Sequence, residues 1–301
     1  MAAAEPGADQ RGARSPHLDS LLLRCDFPPA GSELACAVSG GADSLALLVL
    51  ATSAGCAVTA IHVDHGLRPG SADESAVVAD AAQRFGARFR SERVEVRPGP
   101  NLEARARAAR YAALPVGAVT GHTADDLAET VLLNVLRGAG LDGLAGFDPA
   151  RRPIRRLRRR ETVELCDLAG LQPVHDPSNG DPAFRRNRVR HELLPLLDAI
   201  AERDVAPVLA RQADLLGSDV ALLEALAGEI DPTDARALAK APRALARRAV
   251  RRWLRDGPEQ HPPSAAVVER VLAVARGEAV GCEIGAGRSV RRRQGRLTLD
   301  G

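Results

Sequence analysis

A short polar loop between an apolar strand and an apolar helix has the composition of a phosphate-binding loop. It reads Ser-Gly-Gly-Ala-Asp-Ser over residues 39–44 and follows a strand predicted over Leu34–Val38. Its two glycines let the backbone approach an anion closely, and the helix that follows begins with free N–H groups. The loop lacks the Gly-Lys-Ser/Thr ending of a Walker A sequence, which argues against γ-phosphate transfer. The residues expected to bind nucleotide phosphates are Ser39, Gly40, Gly41, Ala42, Asp43 and Ser44.

Asp43 is the acidic residue of this loop, and its type is unexpected beside bound phosphates. A carboxylate would repel phosphate oxygens unless a divalent cation lay between them, so we interpret Asp43 as a catalytic Mg²⁺ ligand. The alternative is that Asp43 only complements the positive end of the helix dipole.

A second polar segment, residues 121–130, combines a helix start with two spaced carboxylates. Thr123 is expected to cap the helix, with the side chain of Asp126 reaching back to it. Asp126 and Glu129 are three residues apart, so they share one helix face. Two carboxylates suit an ammonium group, which has three donors. Asp125 is interpreted only as an acidic residue in the first helical turn.

Strands and helices alternate over residues 34–136, which predicts the sheet that positions both loops. Such alternation indicates βαβ units in a parallel sheet covered on both faces, with ligands at the carboxyl ends of its strands. The predicted strands are Leu34–Val38, Val58–Val63, Val116–Thr120 and one near Arg93–Val96. The predicted helices are Leu45–Thr52, Ala72–Phe85, Leu102–Leu114 and Asp125–Leu136.

The length of 301 residues suggests two domains. We expect a disordered leader over residues 1–16, a catalytic domain over 17–200 and a mostly helical domain over 201–301. In the last, helices are expected within Val205–Leu226 and Ala237–Leu254, and two short strands within Cys282–Leu299. No apolar run approaches the ~20 residues of a membrane helix, so no membrane association is expected. The five cysteines form no C-x-x-C pair, which disfavours zinc, iron–sulfur and disulfide sites and favours a reducing cytoplasm.

Charge is unevenly distributed along the chain. Residues 1–150 carry a net charge of −5 and residues 151–301 a net charge of +7, and Lys240 is the sole lysine. Clustered arginines suggest phosphate contacts, although a solvated surface remains the alternative for each cluster. The clusters lie within residues 151–160, 185–190, 247–255 and 288–296.

The Ser-Gly-Gly-x-Asp-Ser loop resembles the PP-loop of the ATP pyrophosphatase superfamily. Further segments narrow the resemblance to the tRNA(Ile)-lysidine synthetase family, over about Ala35 to Pro195. These segments are residues 62–68, the helix that includes Arg105, residues 121–130, the Gly-rich loop 137–144, the Asp-Pro-Ser-Asn at 176–179 and the Arg-Asn-x-x-Arg at 186–190. Arg152-Pro153-Ile154 is similar to a strand of that family, but Arg155 and Arg158 stand where an apolar residue and Ser are usual.

The resemblance implies a fold and a reaction. The fold is α/β, a parallel-sheet PP-loop (Rossmann-like) domain followed by a smaller, mostly helical domain. The enzyme is a ligase that uses ATP and Mg²⁺ to adenylate C2 of the wobble cytidine in the CAU anticodon of tRNA(Ile). Free L-lysine then displaces AMP, giving lysidine, and pyrophosphate is the other product.

The resemblance also assigns residue roles. Asp126 and Glu129 would hold the side-chain amine of lysine, and Arg190 would act in catalysis. Further ATP contacts are expected from His62, Arg105 and Gly121, and tRNA contacts from Arg137, Arg186 and Arg190. For His62 the alternative is an ordinary polar residue at a strand end, and for Arg105 it is a solvated helix face. The i,i+4 spacing of Arg186 and Arg190 suits two adjacent phosphates.

Two other functions are left open by the residues. One is another adenylating PP-loop enzyme such as a tRNA thiolase, which the isolated cysteines disfavour. The other is a non-catalytic protein that binds nucleotide or RNA, which the set of Asp43, Asp126, Glu129 and Arg190 disfavours. A homodimer is left open beside a monomer.

Overall fold

The computed structural model describes residues 15–64, 71–94, 102–174, 180–255 and 263–300. The chain divides into two compact units between Asp214 and Leu215. The domain boundary expected after residue 200 stays a prediction. Residues 1–14 of the expected leader and residues 65–70 and 175–179 of the family-like segments lie outside the described residues.

The first unit contains a parallel sheet of four strands, as the βαβ pattern predicted. Its strands are β1 (Glu33–Ala37), β2 (Ala57–Asp64), β3 (Arg88–Arg93) and β4 (Val119–Thr120), in the order β3-β2-β1-β4. Its helices are α1 (Pro16–Leu22), α2 (Ala42–Ser53), α3 (Ser71–Arg84), α4 (Leu102–Ala113), α5 (Ala124–Leu136), α6 (Leu141–Leu144), α7 (Arg159–Leu168), α8 (Arg185–Arg188) and α9 (Leu194–Ala201). A 3₁₀ turn spans Pro149–Arg151, and a π-helical segment, Val189–Leu193, joins α8 to α9.

The strand order places a topological switch point between β1 and β4. The chain runs from β1 outward through β2 to β3, then returns to add β4 on the other side of β1. Ligands of open α/β sheets bind at the carboxyl ends of the strands at such a point. The loop after β1 is the predicted phosphate loop, and the loop after β4 begins at Gly121. Both candidate segments therefore lie at the switch point.

Helix α2 is the centre of the first core. It is apolar on all sides, and its residues Leu45, Leu47, Leu48 and Leu50 are fully buried. A helix with this composition has no solvent face and must be covered by other elements. It packs between the sheet and α7, which fixes the position of its first turn, where Asp43 lies.

The second unit contains helices and a small antiparallel sheet. Helix α10 (Ala206–Gly228) spans the division between the units, and the others are α11 (Ala235–Lys240), α12 (Arg243–Arg255) and α13 (Ala265–Arg276). The strands β5 (Gly281–Gly285), β6 (Arg288–Arg293) and β7 (Arg296–Asp300) pair in chain order. Helix α12 buries Ala246, Ala249, Val250 and Leu254, and Trp253 packs on the same core. Its residues Arg243, Arg247 and Arg255 are exposed, whereas Arg248 is 10% exposed and pairs with Glu224.

Several predicted elements differ from the structure. The strand expected near Arg93–Val96 is β3, which begins five residues earlier. The helix expected over Ala237–Leu254 is two helices, because Pro242 lacks the N–H that a continuous helix would use. Cys282–Leu299 covers three strands rather than two. The disordered leader expected over residues 1–16 is wrong for its last two residues, because Ser15 caps α1 and Pro16 begins it.

The basic stretch before α7 also differs from its prediction. Residues 153–156 form turns rather than a strand, with Arg155 N donating to the carbonyl of Arg152. Helices α7 and α13 were not predicted from the sequence. Within the described part of the chain, no helix is both long and apolar enough to cross a membrane.

Candidate functional site

The phosphate loop is braced by its own hydroxyl groups. Ser44 Oγ accepts from the backbone N–H of Ser39 at 3.1 Å and donates to the carbonyl of Gly41 at 2.8 Å. Gly40 has φ +85°, a conformation that favours glycine, and its carbonyl accepts from Val174 N at 2.9 Å. The predicted serines thus shape the loop, and the backbone amides at the start of α2 are free of partners within the helix, as at any helix start.

Gly121 lets the loop after β4 approach the phosphate loop closely. A Cβ atom at this position would lie 2.4 Å from the backbone oxygen of Asp43. That separation is shorter than a van der Waals contact. The atom in the way belongs to the backbone, which cannot move aside as a flexible side chain can. The absence of a side chain at Gly121 therefore sets the distance between the two candidate segments.

Helix α5 begins as predicted and presents its acid pair to the interior. Asp126 Oδ2 accepts from Thr123 N at 2.8 Å and from Thr123 Oγ1 at 3.0 Å, which ties the acid to the helix start. Asp126 is 9% exposed and Glu129 is fully buried. Two buried carboxylates require cationic partners, because an unpaired buried charge is costly.

Arg159, the first residue of α7, lies between the phosphate loop and the acid pair. Its Nε donates to Asp43 Oδ2 at 3.2 Å, its Nη2 to Asp126 Oδ1 at 2.8 Å and its Nη1 to Glu129 Oε1 at 3.1 Å. One guanidinium group thus contacts all three predicted acids. Asp43 and the acid pair therefore lie side by side at the carboxyl edge of the sheet.

Arg186 and Arg190 complete the cluster in a way that their spacing did not predict. Arg186 Nε donates to Glu129 Oε2 at 2.6 Å, and Arg190 Nε donates to Glu129 Oε1 at 2.7 Å. Arg186 Nη2 also lies 3.2 Å from Asp126 Oδ1. The two side chains were expected to project toward phosphates, but the buried carboxylate of Glu129 draws both inward. Arg190 lies in the π-helical segment, a feature that recurs at functional sites.

The surroundings of the cluster shift the pKa values of Asp43 and Asp126 in opposite directions. Burial raises the pKa of Asp43 to about 6, with a contribution from the neighbouring charge of Asp126, although Arg159 and Thr162 oppose it. Burial would also raise the pKa of Asp126, but the charges of Arg159, His122 and Arg186 outweigh it and lower the pKa to about 2. Asp126 is therefore the first of the two to ionise as the pH rises. Among the described residues, Asp43 contacts the guanidinium group of Arg159, whereas Asp126 contacts those of both Arg159 and Arg186.

Two side chains that contact the predicted acids were missed in the sequence, Arg159 and Thr162. Thr162 lies one turn after Arg159 and donates its hydroxyl to Asp43 Oδ1. The available signal was the run of arginines at 155–160, but nothing in that run distinguishes Arg159 from its neighbours.

Residues around the cluster correct two interpretations made from the sequence. Asp125 does more than complement the helix dipole, since it accepts from Arg158 Nη2 at 2.8 Å and from Arg159 N at 2.8 Å. Arg155 is buried and donates to Asp26 Oδ2 at 2.8 Å. Arg155 and Arg158 therefore anchor the polypeptide through ion pairs rather than simply adding surface charge.

Three predicted residues lie outside this cluster. His62 is 2% exposed in β2, and its Nδ1 lies 3.1 Å from the carbonyl of Val38, so its imidazole packs inside the sheet. Arg105 lies exposed on α4, and Arg137 lies exposed at the end of α5. Their predicted contacts with ATP and tRNA stay predictions.

Protein-family models match both parts of the chain. One described as the PP-loop domain matches residues 19–197, and one described as the TilS substrate binding domain matches residues 234–298. The tRNA(Ile)-lysidine synthase of Nocardia farcinica is 43% identical, covering 91% of this chain and 93% of its own length. That of Thermobifida fusca is 41% identical, covering 74% and 77%.

A solved structure shares the fold. The U34-tRNA thiolase NcsA of Methanococcus maripaludis, described with a [4Fe-4S] cluster, superposes with a TM-score of 0.52 over 67% of this chain and 78% of its own. At 15% identity, the likeness concerns the fold alone. Among the described residues, no group of three or more His, Cys, Asp or Glu side chains is arranged to hold a metal ion.

Proposed function

The chain belongs to the tRNA(Ile)-lysidine synthase family, and from this premise we propose how its residues carry out the reaction. It is a ligase that modifies tRNA(Ile) at the expense of ATP. The observation that carries the proposal is the contact of Arg159 with Asp43, Asp126 and Glu129, since it brings a phosphate loop and an amine-binding pair to one place.

The nucleotide occupies the loop of residues 39–44, with its phosphates at the start of α2. The braced loop offers backbone N–H groups, and the helix dipole favours negative charge there. ATP transfers its adenylyl group to the C2 oxygen of the wobble cytidine in the CAU anticodon, and pyrophosphate leaves. The cytidine must leave its stack to be reached, which costs little in an anticodon loop.

Asp43 is the residue that would hold Mg²⁺. Its chemistry fits, because the carboxylate is a hard oxygen donor, and Arg159 is the one cationic side chain that contacts it within the described residues. Mg²⁺ commonly binds through one or two carboxylates together with substrate phosphates, so no larger protein cluster is needed. When bound, the ion supplies neutralisation of the charge that develops on the phosphates.

The lysine side chain binds to Asp126 and Glu129. Its ammonium group is positively charged and donates hydrogen bonds, as do the guanidinium groups that contact these acids in the structure. It therefore replaces some of the hydrogen bonds between the arginines and the two acids. Arg186 and Arg190 turn toward the phosphates of ATP or tRNA, whose oxygen atoms offer the same bidentate partners as a carboxylate. The ammonium group first loses a proton to solvent. The free amine then attacks C2, and the bond from C2 to the adenylate oxygen breaks to release AMP.

The test is incorporation of labelled lysine into RNA. The wild-type protein, ATP and Mg²⁺ are incubated with two kinds of tRNA(Ile) transcript. One carries the CAU anticodon, and the other carries an anticodon with a different base at the wobble position. Label in the CAU transcript that requires ATP supports the proposal. Pyrophosphate release that requires neither lysine nor tRNA, without label in RNA, would overturn it.

Asp126→Asn tests the amine site within the same assay. The amide keeps an oxygen for the Thr123 cap but loses the charge, so the KM for lysine is expected to rise at least about tenfold. The KM for ATP should stay close to that of the wild type. Asp80→Asn on the exposed surface of α3 is the matched control, and an unchanged lysine KM in Asp126→Asn would remove the amine site.

Two further expectations rest on the family alone. A tRNA-modifying ligase is expected to work in the cytoplasm, where its RNA substrate is found. A homodimer stays a prediction.

A further inference from the structure

We infer that Arg159 is a positioning residue that fixes the nucleotide half of the site relative to the lysine half. The inference rests on the proposed function for the identity of the two halves. Its own basis is geometric: Arg159 is the described side chain whose nitrogen atoms each donate to a different one of the three acids.

The backbone at Arg159 is held from two directions. Its N–H donates to Asp125 Oδ2 at 2.8 Å, and Arg158 grips the same carboxylate through Nε and Nη2. On the other side, the N–H of Arg158 donates to Glu161 Oε2 at 2.8 Å, which closes the first turn of α7. The guanidinium group therefore projects from an anchored helix start.

The contacts of Arg159 differ from those of the other two arginines. Within the described residues, the acids that Arg186 and Arg190 contact belong to the lysine half: Glu129 and, for Arg186, Asp126. They come from the helical region after the segment 175–179. Arg159 also contacts Asp43, and Thr162 on the same helix donates to the other oxygen of that carboxylate. Helix α7 thus holds Asp43 by two side chains one turn apart.

The shape of the guanidinium group matters as well as its charge. Its N–H groups form a rigid planar fork, whereas a lysine ammonium is a compact point charge on a flexible chain. A fork can keep three carboxylates at set distances. Its positive charge also lies between Asp43 and Asp126 and reduces the repulsion between them. The two reacting groups must meet at about 3–3.5 Å, and a misplacement of about 1 Å can cost about 100-fold in rate.

The experiment compares Arg159→Lys with Arg84→Lys. Arg84 anchors the opposite end of α7 through the carbonyls of Ala169 and Gly170, at 2.8 and 3.1 Å, and contacts none of the three acids. Both variants therefore weaken the anchoring of α7, but only Arg159→Lys removes the guanidinium group that contacts the three acids. Measurements are the KM values for lysine and ATP, kcat, and the melting temperature of each full-length protein.

For Arg159→Lys we expect kcat to fall about 100-fold and the lysine KM to rise, with a melting temperature close to that of Arg84→Lys. Arg84→Lys should keep the wild-type KM values. Wild-type kinetics in Arg159→Lys would overturn the inference. So would a loss of kcat at unchanged KM values that matches a loss of folded protein, because that pattern indicates a merely structural role.

A readout without lysine separates this inference from the proposed function. Binding of a non-hydrolysable ATP analogue with Mg²⁺ is measured by the rise in melting temperature. If the wild type incorporates no lysine, the proposed function is wrong. The positioning role is then decided by the analogue alone: a smaller rise in Arg159→Lys than in Arg84→Lys supports it, and equal rises overturn it.

Discussion

Arginine serves two different purposes in the two units of this protein. In the first unit, Arg159 and Arg190 have side chains 25% and 22% exposed, and they converge on a fully buried glutamate. In the second unit, Arg243 and Arg247 are 66% and 45% exposed and share Glu269, whose side chain is 31% exposed. In both units more than one arginine shares a single glutamate, but the glutamate of the first unit is shielded from solvent and that of the second unit is not.

The difference shows that burial, rather than pairing, decides what an arginine contributes. A surface ion pair loses most of its attraction to water and to side-chain entropy. A buried carboxylate must be neutralised, so removal of one partner leaves an uncompensated charge. Exposed arginines remain available to an external anion such as an RNA phosphate. The following changes test this contrast, beginning with the largest expected effect.

Asp43→Asn should lower the rate of lysidine formation by at least about 100-fold, because the proposed ligand of the metal is lost. It should also stabilise the fold near neutral pH. The pKa of Asp43 is raised to about 6 from 3.8, so the folded protein holds this proton more tightly than the unfolded chain does. Stability therefore falls as pH rises from about 4 to about 6, and the amide removes that loss.

The measurement for Asp43→Asn is its melting temperature at neutral pH and near pH 4. A variant that melts above the wild type by a few degrees at neutral pH, with little difference at the lower pH, agrees with the electrostatic account. A lower melting temperature at neutral pH would contradict it.

Glu129→Gln removes the carboxylate that three arginines share. The guanidinium groups of Arg159, Arg186 and Arg190 lose their common counter-charge, and such losses cost about 3–5 kcal/mol. We expect the melting temperature to fall by about 10 °C, measured by calorimetry. Glu192→Gln is the control, since that residue pairs with Arg188 on the surface of the same region. A fall in melting temperature smaller than that of Glu192→Gln would mean that the carboxylate of Glu129 is not desolvated.

Replacement of Arg291 and Arg293 by glutamine tests the use of exposed arginines on β6. Both are exposed, and they lie on the face of the strand opposite to the buried Val290. We expect weaker binding of tRNA, with the slope of log K against log salt reduced by about one for each RNA phosphate that is no longer neutralised. The KM values for ATP and lysine should not change. A salt slope equal to that of the wild type would show that these arginines do not touch RNA.

Glu269→Gln is the surface counterpart of Glu129→Gln. It removes a carboxylate shared by Arg243 and Arg247, but the loss of stability is expected to stay below about 1 kcal/mol. The hydrogen bonds from Arg247 and Arg243 lower the pKa of Glu269, and its partial desolvation opposes them. Unfolding in denaturant at low and high salt measures the change. A loss comparable to that of Glu129→Gln would break the contrast between the two units.

The sequence predicted most of the parallel sheet and both candidate segments of the site. The PP-loop residues, the capping of α5 by Thr123 and Asp126, and the shared face of Asp126 and Glu129 are local features with short-range causes. They follow from spacing along the chain, so they can be inferred before any fold is known. The membership of the family followed from the same segments.

The partners of those residues were not predictable in the same way. Helix α7 and its Arg159 lie more than one hundred residues from Asp43 in the chain, and the arginine run gives equal weight to Arg155, Arg158 and Arg159. The structure buries the first against Asp26, pairs the second with Asp125 and places the third among the acids of the site.

The order of residue types along this chain determined where an anion and an amine can bind, because glycines at a helix start and carboxylates on one helix face act over a few residues. Only the tertiary structure decided which cations meet those carboxylates. Long-range packing selects the arginines that become buried, and the cost of desolvating a charge then determines which ion pairs must form.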